Sequence, residues 1–323
     1  MVPTIKDVAK RAGVGIGTVS RVINNQKAVG DKTKSKVLSA MKELNYLPNN
    51  MASQLRRNRT KLIALLVPVI SHPFFAKFAY YVEDQADKFG YSVLLVSSQQ
   101  RVEKEKEIIS RIKQRKVDGA VFVTHFMHDE SLFTDCPIVS MDRTFGENVP
   151  YVTSDNYQAT QNALEYMIER GARKIGFLGS KPLVESEVME RERAYIDLMN
   201  QKGMPVCSVN QVILHGEEEI IVNDFMQKYS DVDGVFVSGY SLSQIFYKRA
   251  VAQGKKIPND LQIVSYDGEF AQWGVNNLTC VEQPIEQMAR EIVNQLIKKI
   301  NGEPTQMRTV IKTRFVEGLT TKK

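Results

Sequence analysis

The sequence predicts an α/β protein with a small helical bundle at its N-terminus, followed by two doubly wound lobes. Residues 4–24 form a pattern of two short amphipathic helices joined by a glycine turn. From residue 62 onward, short β-rich runs alternate with helical patterns in two successive series. Because such alternation favours parallel sheets with helices on both faces, two series indicate two Rossmann-like lobes with a cleft between them.

The first helix of the bundle begins after Thr4, a residue suited to capping, and Gly13 permits the sharp turn that follows. The inward apolar positions of the two helices are Ile5, Val8, Ala9 and Ala12, then Val14, Val19, Val22 and Ile23. The outward positions of the second helix are Ile16, Gly17, Thr18, Ser20 and Arg21. This arrangement is typical of the helix-turn-helix motif, whose second helix enters the major groove of DNA.

A third helix is predicted from Asp31 to Asn45 and would close the bundle ahead of Pro48. The segment after it, residues 49–58, has the length of about two helical turns, which is too short to be stable alone. It ends in a basic run that includes Arg56. A solvated linker is one interpretation; beside a DNA-reading bundle, a marginal helix that carries Leu55 and adjacent arginines favours a hinge that folds against the minor groove.

Charge is distributed unevenly along the chain. Residues 1–61 contain 13 lysines and arginines against 3 acids, a net charge of +10, whereas residues 62–323 contain 30 against 34. A strongly basic head on a mildly acidic body indicates a DNA-binding module and argues against a purely structural bundle.

Other kinds of site find little support. The three cysteines are scattered, which is typical of buried thiols in a cytoplasmic protein. The pair His125 and His128 lacks further ligands in register, so we expect no metal. No Ser-His-Asp or Cys-His set follows the strands, so we expect neither an enzyme nor a cofactor. We find no apolar run near the ~20 residues that span a bilayer, and no signal peptide.

The predicted domains are a DNA-binding domain at 1–48, a hinge at 49–60 and a two-lobed domain at 61–323. The second lobe covers roughly residues 160–285, after which the chain returns to the first lobe. The strands are predicted at 62–69, 92–97, 120–124, 137–141 and 151–154, then at 174–179, 211–214, 234–238 and 262–266. The helices between them are predicted at 73–89, 102–116, 157–169, 188–202, 217–228 and 241–253.

An ordered set of motifs runs through the whole chain. The head carries Thr4-Ile5-x-Asp7-Val8-Ala9, Ala12-Gly13-Val14, Thr18-Val19-Ser20-Arg21-Val22 and Asn24, and the hinge carries Pro48-Asn49 and Ala52-x-x-Leu55. The body carries Pro73-Phe74-Phe75, Asp118-Gly119, Asp142-Arg143, Arg191, Tyr266-Asp267 and Gln283-Pro284. In this pattern the chain resembles the LacI/GalR family of bacterial transcription regulators, whose body has the periplasmic-binding-protein type of fold.

The resemblance implies a dimeric repressor on a palindromic operator. Ile16 and Gly17 would occupy the two positions that choose the operator, and Leu55 would be the wedge between central base pairs. A dimer is needed because one short hinge helix cannot offset the unstacking cost of a few kcal/mol per step. The remaining implied DNA contacts are Thr4, Thr18, Ser20, Arg21, Asn24, Asn49, Ala52 and Arg56.

The resemblance also implies an effector pocket between the lobes. Phe74 would stack on a ring, Asp155 and Asp267 would accept hydrogen bonds from hydroxyl groups, and Arg191 would donate a planar fork. Tyr240 and Trp273 complete the set. Core packing is an equal alternative for Phe74, and a packed loop anchor is the alternative for Trp273. The effector would act by its differential affinity for two lobe orientations.

A sugar is the expected effector, because aromatic stacking together with carboxylate and guanidinium groups suits carbohydrates. A purine-type corepressor and a phosphoprotein partner on the first lobe are the alternatives. The chain also departs from the family: Gly239 and Tyr240 replace a polar pair, and Gly15 and Gly17 replace Ser and Ala. A sugar-binding transport protein is disfavoured, since it predicts a signal peptide and no basic head.

Overall fold

The computed structural model describes residues 3–23, 29–46, 59–99, 101–124, 126, 128–212, 216–268 and 277–323. The chain divides into two compact units, Met1–Thr60 and Lys61–Lys323. The predicted DNA contacts Asn24, Asn49, Ala52, Leu55 and Arg56 lie outside the described residues, as does Trp273.

The N-terminal unit contains three short helices around a small apolar core. They are α1 (Ile5–Ala12), α2 (Ile16–Ile23) and α3 (Asp31–Glu43). The Thr4 amide and hydroxyl both donate to the Asp7 carboxylate, at 2.8 and 2.7 Å, and these bonds lower the pKa of Asp7. Gly13 has a φ of 67°, which a residue without a Cβ adopts at little cost. The core consists of Val8, Ala9, Val19, Val22, Val37 and Ala40.

The first lobe is built on a six-stranded parallel sheet in the order β11-β5-β4-β3-β1-β2. Its strands are β1 (Leu62–Val67), β2 (Ser92–Ser97), β3 (Gly119–Phe122), β4 (Ile138–Met141), β5 (Tyr151–Ser154) and β11 (Arg308–Ile311). Its helices are α4 (Pro73–Lys88), α5 (Val102–Lys113) and α10 (Ile285–Asn301).

The second lobe is built on a six-stranded sheet in the order β12-β10-β9-β8-β6-β7, parallel except for β12. Its strands are β6 (Ile175–Ser180), β7 (Cys207–Gln211), β8 (Gly234–Ser238), β9 (Gln262–Tyr266), β10 (Thr279–Glu282) and β12 (Arg314–Val316). Its helices are α6 (Asn156–Glu169), α7 (Glu190–Lys202), α8 (Glu218–Lys228) and α9 (Tyr240–Ala252).

The chain crosses between the lobes three times. It passes from β5 to α6, returns from β10 to α10, and crosses again from β11 to β12. The sequence prediction included the return to the first lobe but not the last crossing. Helix α10 then packs Met288, Ile292 and Leu296 into the first-lobe core, so the C-terminal segment belongs to both lobes.

One predicted strand was misplaced. The sequence predicts a strand at 211–214, whereas β7 occupies Cys207–Gln211; residues 213 and 214 lie outside the described residues. The Cys207 amide donates to the buried Tyr195 hydroxyl at 2.7 Å and Cys207 pairs with Gly176, while Val212 is 47% exposed. Tertiary pairing therefore outweighed local apolar content in setting this strand.

Candidate functional site: a helix face and an interlobe cleft

The second helix of the N-terminal unit presents a bare outer face. Val19 and Val22 are buried, whereas Ile16 is 46% exposed and Arg21 is exposed. A Cβ added at Gly17 would meet no atom within 4 Å. Since packing does not require glycine there, the open face is available for a partner outside the bundle.

The remaining predicted contacts on this unit are placed differently. Thr18 and Ser20 are partly buried, and the Thr4 hydroxyl is engaged in capping α1. Arg11 forms an ion pair with Glu43, which holds α1 to α3. These positions therefore combine a structural role in the bundle with the contacts to DNA that the motif predicts.

In the second unit, the ends of strands from both lobes meet in a buried polar cluster, which we call the cleft network. Asp267 follows β9 and accepts two hydrogen bonds from the Gln283 amide, at 2.9 and 3.0 Å. The Gln283 carbonyl oxygen accepts a hydrogen bond from the Ser154 hydroxyl at 3.2 Å, and that hydroxyl lies 2.9 Å from the Tyr266 hydroxyl. Ser154 ends β5, so the network joins the first lobe to the second.

Arg191 continues the network toward the first lobe. Its guanidinium lies 3.4 Å from the centre of the Tyr266 ring, and its Nε donates to Asn156 at 2.7 Å. The Asn156 amide donates to the Thr153 hydroxyl at 3.1 Å, and that hydroxyl donates to Asp142 at 2.7 Å. A continuous set of polar contacts thus runs from Asp267 to Asp142 across the cleft.

The two carboxyl groups of the network are strained electrostatically. Burial raises the pKa of Asp267 to about 6, against the opposing charge of Arg191. Burial also raises the pKa of Asp142, against the hydrogen bond from Thr153. One buried and one partly buried carboxylate share one guanidinium, so the cleft favours a ligand that brings hydrogen-bond donors.

A cavity of about 770 Å³ adjoins the network and takes its walls from both lobes. Asp142, Ser154 and Asn156 belong to both the network and the cavity wall, whereas the predicted effector contacts Arg191 and Asp267 belong to the network but do not line the cavity. The first lobe also contributes Arg143, Tyr151 and Arg308, and the second contributes Tyr157, Glu185, Glu187 and Glu190. This size matches pockets that bury small organic ligands.

Asp155 lines the cavity, but it also has a structural role at the crossings. Its carboxylate accepts a hydrogen bond from the Thr313 amide at 2.8 Å, and its own amide donates to the Ile311 carbonyl at 3.2 Å. It therefore ties the β5–α6 crossing to the β11–β12 crossing.

Phe74 and Tyr240 do not line the cavity. Both are 6% exposed and both belong to the first-lobe core, where Phe74 stacks on Phe78 at 6.3 Å. The structure thus places the Phe74 side chain in the core, in agreement with the alternative of core packing, and its contact with a ligand stays a prediction. Tyr240 begins a second-lobe helix, yet its ring reaches this core and lies 6.2 Å from the His72 ring.

The sequence prediction missed several residues of the network. Asp142 follows β4 in the same way that Asp267 follows β9, so strand-end logic was sufficient to find it. Gln283 stood only in the Gln283-Pro284 motif without a role, and Ser154 carried no signal, because their importance comes from pairing between distant strands. Among the described residues, no cluster of His, Cys, Asp and Glu fits a metal ion, and no helix has the length and apolarity to cross a membrane.

Comparison with known proteins gives consistent matches. A family model described as bacterial regulatory proteins, lacI family, matches residues 4–49, and one described as periplasmic binding protein-like domain matches residues 164–321. The ribose operon repressor of Halalkalibacterium halodurans is 35% identical over 99% of this chain and 97% of its own length. The sucrose operon repressor of Streptococcus mutans is 32% identical over 98% of this chain and 99% of its own.

A solved structure matches the fold as well. It is a periplasmic binding protein/LacI transcriptional regulator from Alkaliphilus metalliredigens in complex with D-xylulofuranose. That structure has a TM-score of 0.74 and 27% identity, and it covers 82% of this chain and 100% of its own.

Proposed function

The chain belongs to the lacI family of bacterial regulatory proteins, and from that premise we propose how it works as a sugar-sensing, DNA-binding repressor. Its relatives are repressors rather than enzymes. We therefore infer that it catalyses no reaction and acts in the cytoplasm, where its operator lies. The ligand between its lobes changes its affinity for the operator through differential binding to two lobe arrangements.

The cleft network supports this proposal most directly. Asp267 is a buried acceptor and Asp142 a partly buried one, both with raised pKa values, and Arg191 is a buried donor between them. Hydroxyl groups of a sugar donate to such carboxylates and accept from such a guanidinium. A purine would gain most from a stacking face, and the ring of Phe74 is held in the core instead.

A pentose is the first ligand to test. The relative with 35% identity is named for the ribose operon, and the matching solved structure holds D-xylulofuranose. A cavity of about 770 Å³ is ample for one such ring, with its hydroxyl groups directed at Asp142 and Asp155.

On DNA, α2 supplies the reading face. Ile16, Gly17 and Arg21 are its exposed residues, and the hinge wedge Leu55 would act in pairs from two subunits. Two-fold pairing predicts a palindromic operator and a homodimer. The proposed domain boundaries follow from these two roles: residues 1–48 read the DNA, and residues 49–60 form the hinge.

The test is operator binding by the full chain, measured by fluorescence anisotropy on palindromic half-site libraries, with and without pentoses. We expect nanomolar binding that a pentose shifts by at least fivefold, together with thermal stabilisation by the same sugar. Asp267→Asn removes the sugar response, whereas Asp231→Asn, a surface control beside Lys174, retains it. A full response in Asp267→Asn would place the effector elsewhere, and no operator binding at all would refute the repressor.

A further inference from the structure

We propose that Glu187, Tyr151 and Arg308 form an interlobe clasp that holds the two lobes together without a ligand. Glu187 begins the short 3-10 helix Glu187–Met189 of the second lobe. Tyr151 and Arg308 are directly paired on the neighbouring strands β5 and β11 of the first lobe. The clasp therefore spans the cleft at the rim of the cavity, away from the cleft network's Asp267.

The side chains of the clasp converge on one carboxylate. Arg308 donates from Nε to Glu187 Oε1 at 2.7 Å and from Nη2 to Oε2 at 3.0 Å. The Tyr151 hydroxyl donates to Oε1 at 2.7 Å. The Glu187 side chain is only 16% exposed, whereas the Arg308 side chain is 52% exposed. Bidentate geometry and partial burial distinguish this pair from the flexible surface ion pairs that contribute little.

The backbone supports the same contact. The Glu187 amide donates to the Asp142 carbonyl oxygen at 2.8 Å, and the Ser186 hydroxyl donates to that oxygen at 3.2 Å. Ser186 precedes the short helix, and its hydroxyl accepts from the Val188 amide at 3.4 Å. These bonds hold the second-lobe segment against the end of β4, and they position Glu187 so that its side chain can pair with Arg308.

The charge states suit a permanent contact near neutral pH. Hydrogen bonds from Arg308 hold the pKa of Glu187 below its usual range, although burial opposes them. Burial and the bond to Glu187 raise the pKa of Tyr151 to about 12, so the phenol remains a donor. The ionised Glu187 carboxylate therefore accepts three hydrogen bonds, two from Arg308 and one from Tyr151.

The clasp lies on the wall of the cavity, so its opening is coupled to ligand exchange. All three residues line the cavity, and so do Ser186 and Glu190 of the same segment. A clasp that favours the joined arrangement raises the fraction of molecules with an assembled cavity, and apparent affinity scales with that fraction. The same contact must break for the lobes to separate and admit a ligand.

The clasp can be tested on the ligand-free full chain with spin labels, one on each lobe. Labels at Lys106→Cys on α5 and Gln227→Cys on α8 report the interlobe distance, and the three native cysteines are buried. Glu187→Gln keeps the side-chain shape but removes the charge that Arg308 clamps. Glu282→Gln is the matched control, because Glu282 is 18% exposed and pairs with Arg314 between β10 and β12 of one sheet.

We expect the wild-type chain to show one predominant interlobe distance. In Glu187→Gln, the population with a second, longer distance should be about tenfold larger than in wild type, because one charge-assisted hydrogen bond is lost. Arg308→Gln should give the same change, and the double variant no further change, because both remove one interaction. Identical distances in Glu187→Gln and wild type would overturn the clasp, as would an equal change in Glu282→Gln. The measurement uses neither sugar nor operator, so its outcome is separate from that of the proposed function.

Discussion

Replacing Asp267 by asparagine is expected to stabilise the ligand-free protein at neutral pH. The pKa of Asp267 is raised from 3.8 to about 6, chiefly by burial. A carboxyl with a higher pKa in the folded than in the unfolded chain favours folding at low pH, and that contribution is lost as pH rises through about 6. Ionised Asp267 therefore opposes folding at pH 7.5, whereas asparagine stays neutral.

The magnitude follows from the two pKa values. A difference of about 2 pKa units corresponds to about 3 kcal/mol at pH 7.5, and to about 1.5 kcal/mol at pH 5, where the folded carboxyl is mostly protonated. Asparagine keeps a carbonyl oxygen that can accept from Gln283, so the neutral form retains part of the present hydrogen bonding. We expect Asp267→Asn to raise the midpoint of thermal unfolding by about 6 °C at pH 7.5 and by about half as much at pH 5.

The assay is thermal unfolding of wild type and Asp267→Asn at pH 5.0, 6.0 and 7.5, followed by circular dichroism. The control Asp231→Asn should go slightly the other way, because pairing with Lys174 lowers the pKa of Asp231 and so favours the ionised folded form. If Asp267→Asn proved less stable than wild type at pH 7.5, or the gap did not grow with pH, the carboxylate would not be a strained group. Loss of the sugar response alongside a gain in stability would identify a functional residue.

Three further outcomes are expected. Gly17→Ala should stabilise the N-terminal unit by about 1 kcal/mol, since it removes a glycine from a helix, and should change the preferred operator in a half-site selection. Leu55→Ala should weaken operator binding and reduce DNA bending in a gel-shift assay, with unchanged unfolding of residues 61–323. Tyr240→Ala should destabilise the protein by about 3 kcal/mol in urea, whereas Tyr240→Phe should cost less than 1 kcal/mol, because the ring fills the first-lobe core.

Elements with strong local patterns were predictable. The first five strands of the first lobe and most helices follow from alternation and apolar spacing, because a buried face repeats along each element. The short strands β10, β11 and β12 were not predicted. The segment around β7 was predicted wrongly, since the apolar run after Gln211 had more local signal than Cys207, whose place depends on Tyr195. Helix α10 was not predicted, although its buried residues Ile285, Met288 and Ala289 form an apolar stripe with i, i+3, i+4 spacing.

A candidate site residue could be predicted where its type of side chain is rare at that position in the fold. A lone carboxylate at the end of a buried strand marked Asp267 as a candidate, and Arg191 followed from the family resemblance. The positions of Phe74 and Tyr240 could not be predicted, because an aromatic ring near a cleft suits core and ligand equally. Glu187 gave no signal, since its partners lie 36 and 121 residues away in the chain.

The lobes are thus joined by contacts of opposite effect. The ring of Tyr240 and the clasp at Glu187 favour the joined arrangement, whereas ionised Asp267, buried where the lobes meet, opposes folding by about 3 kcal/mol at neutral pH. Under the proposed function, a ligand whose hydroxyl groups donate to Asp267 would recover part of that energy, and it would do so only where both lobes surround it. Recovery of about 1.4–2.8 kcal/mol corresponds to a 10- to 100-fold preference for the joined arrangement, which is the size of coupling that allosteric proteins show. Under the proposed function, the strained carboxylate and the clasp together therefore provide enough coupling free energy for a small sugar to shift the equilibrium between the lobe arrangements.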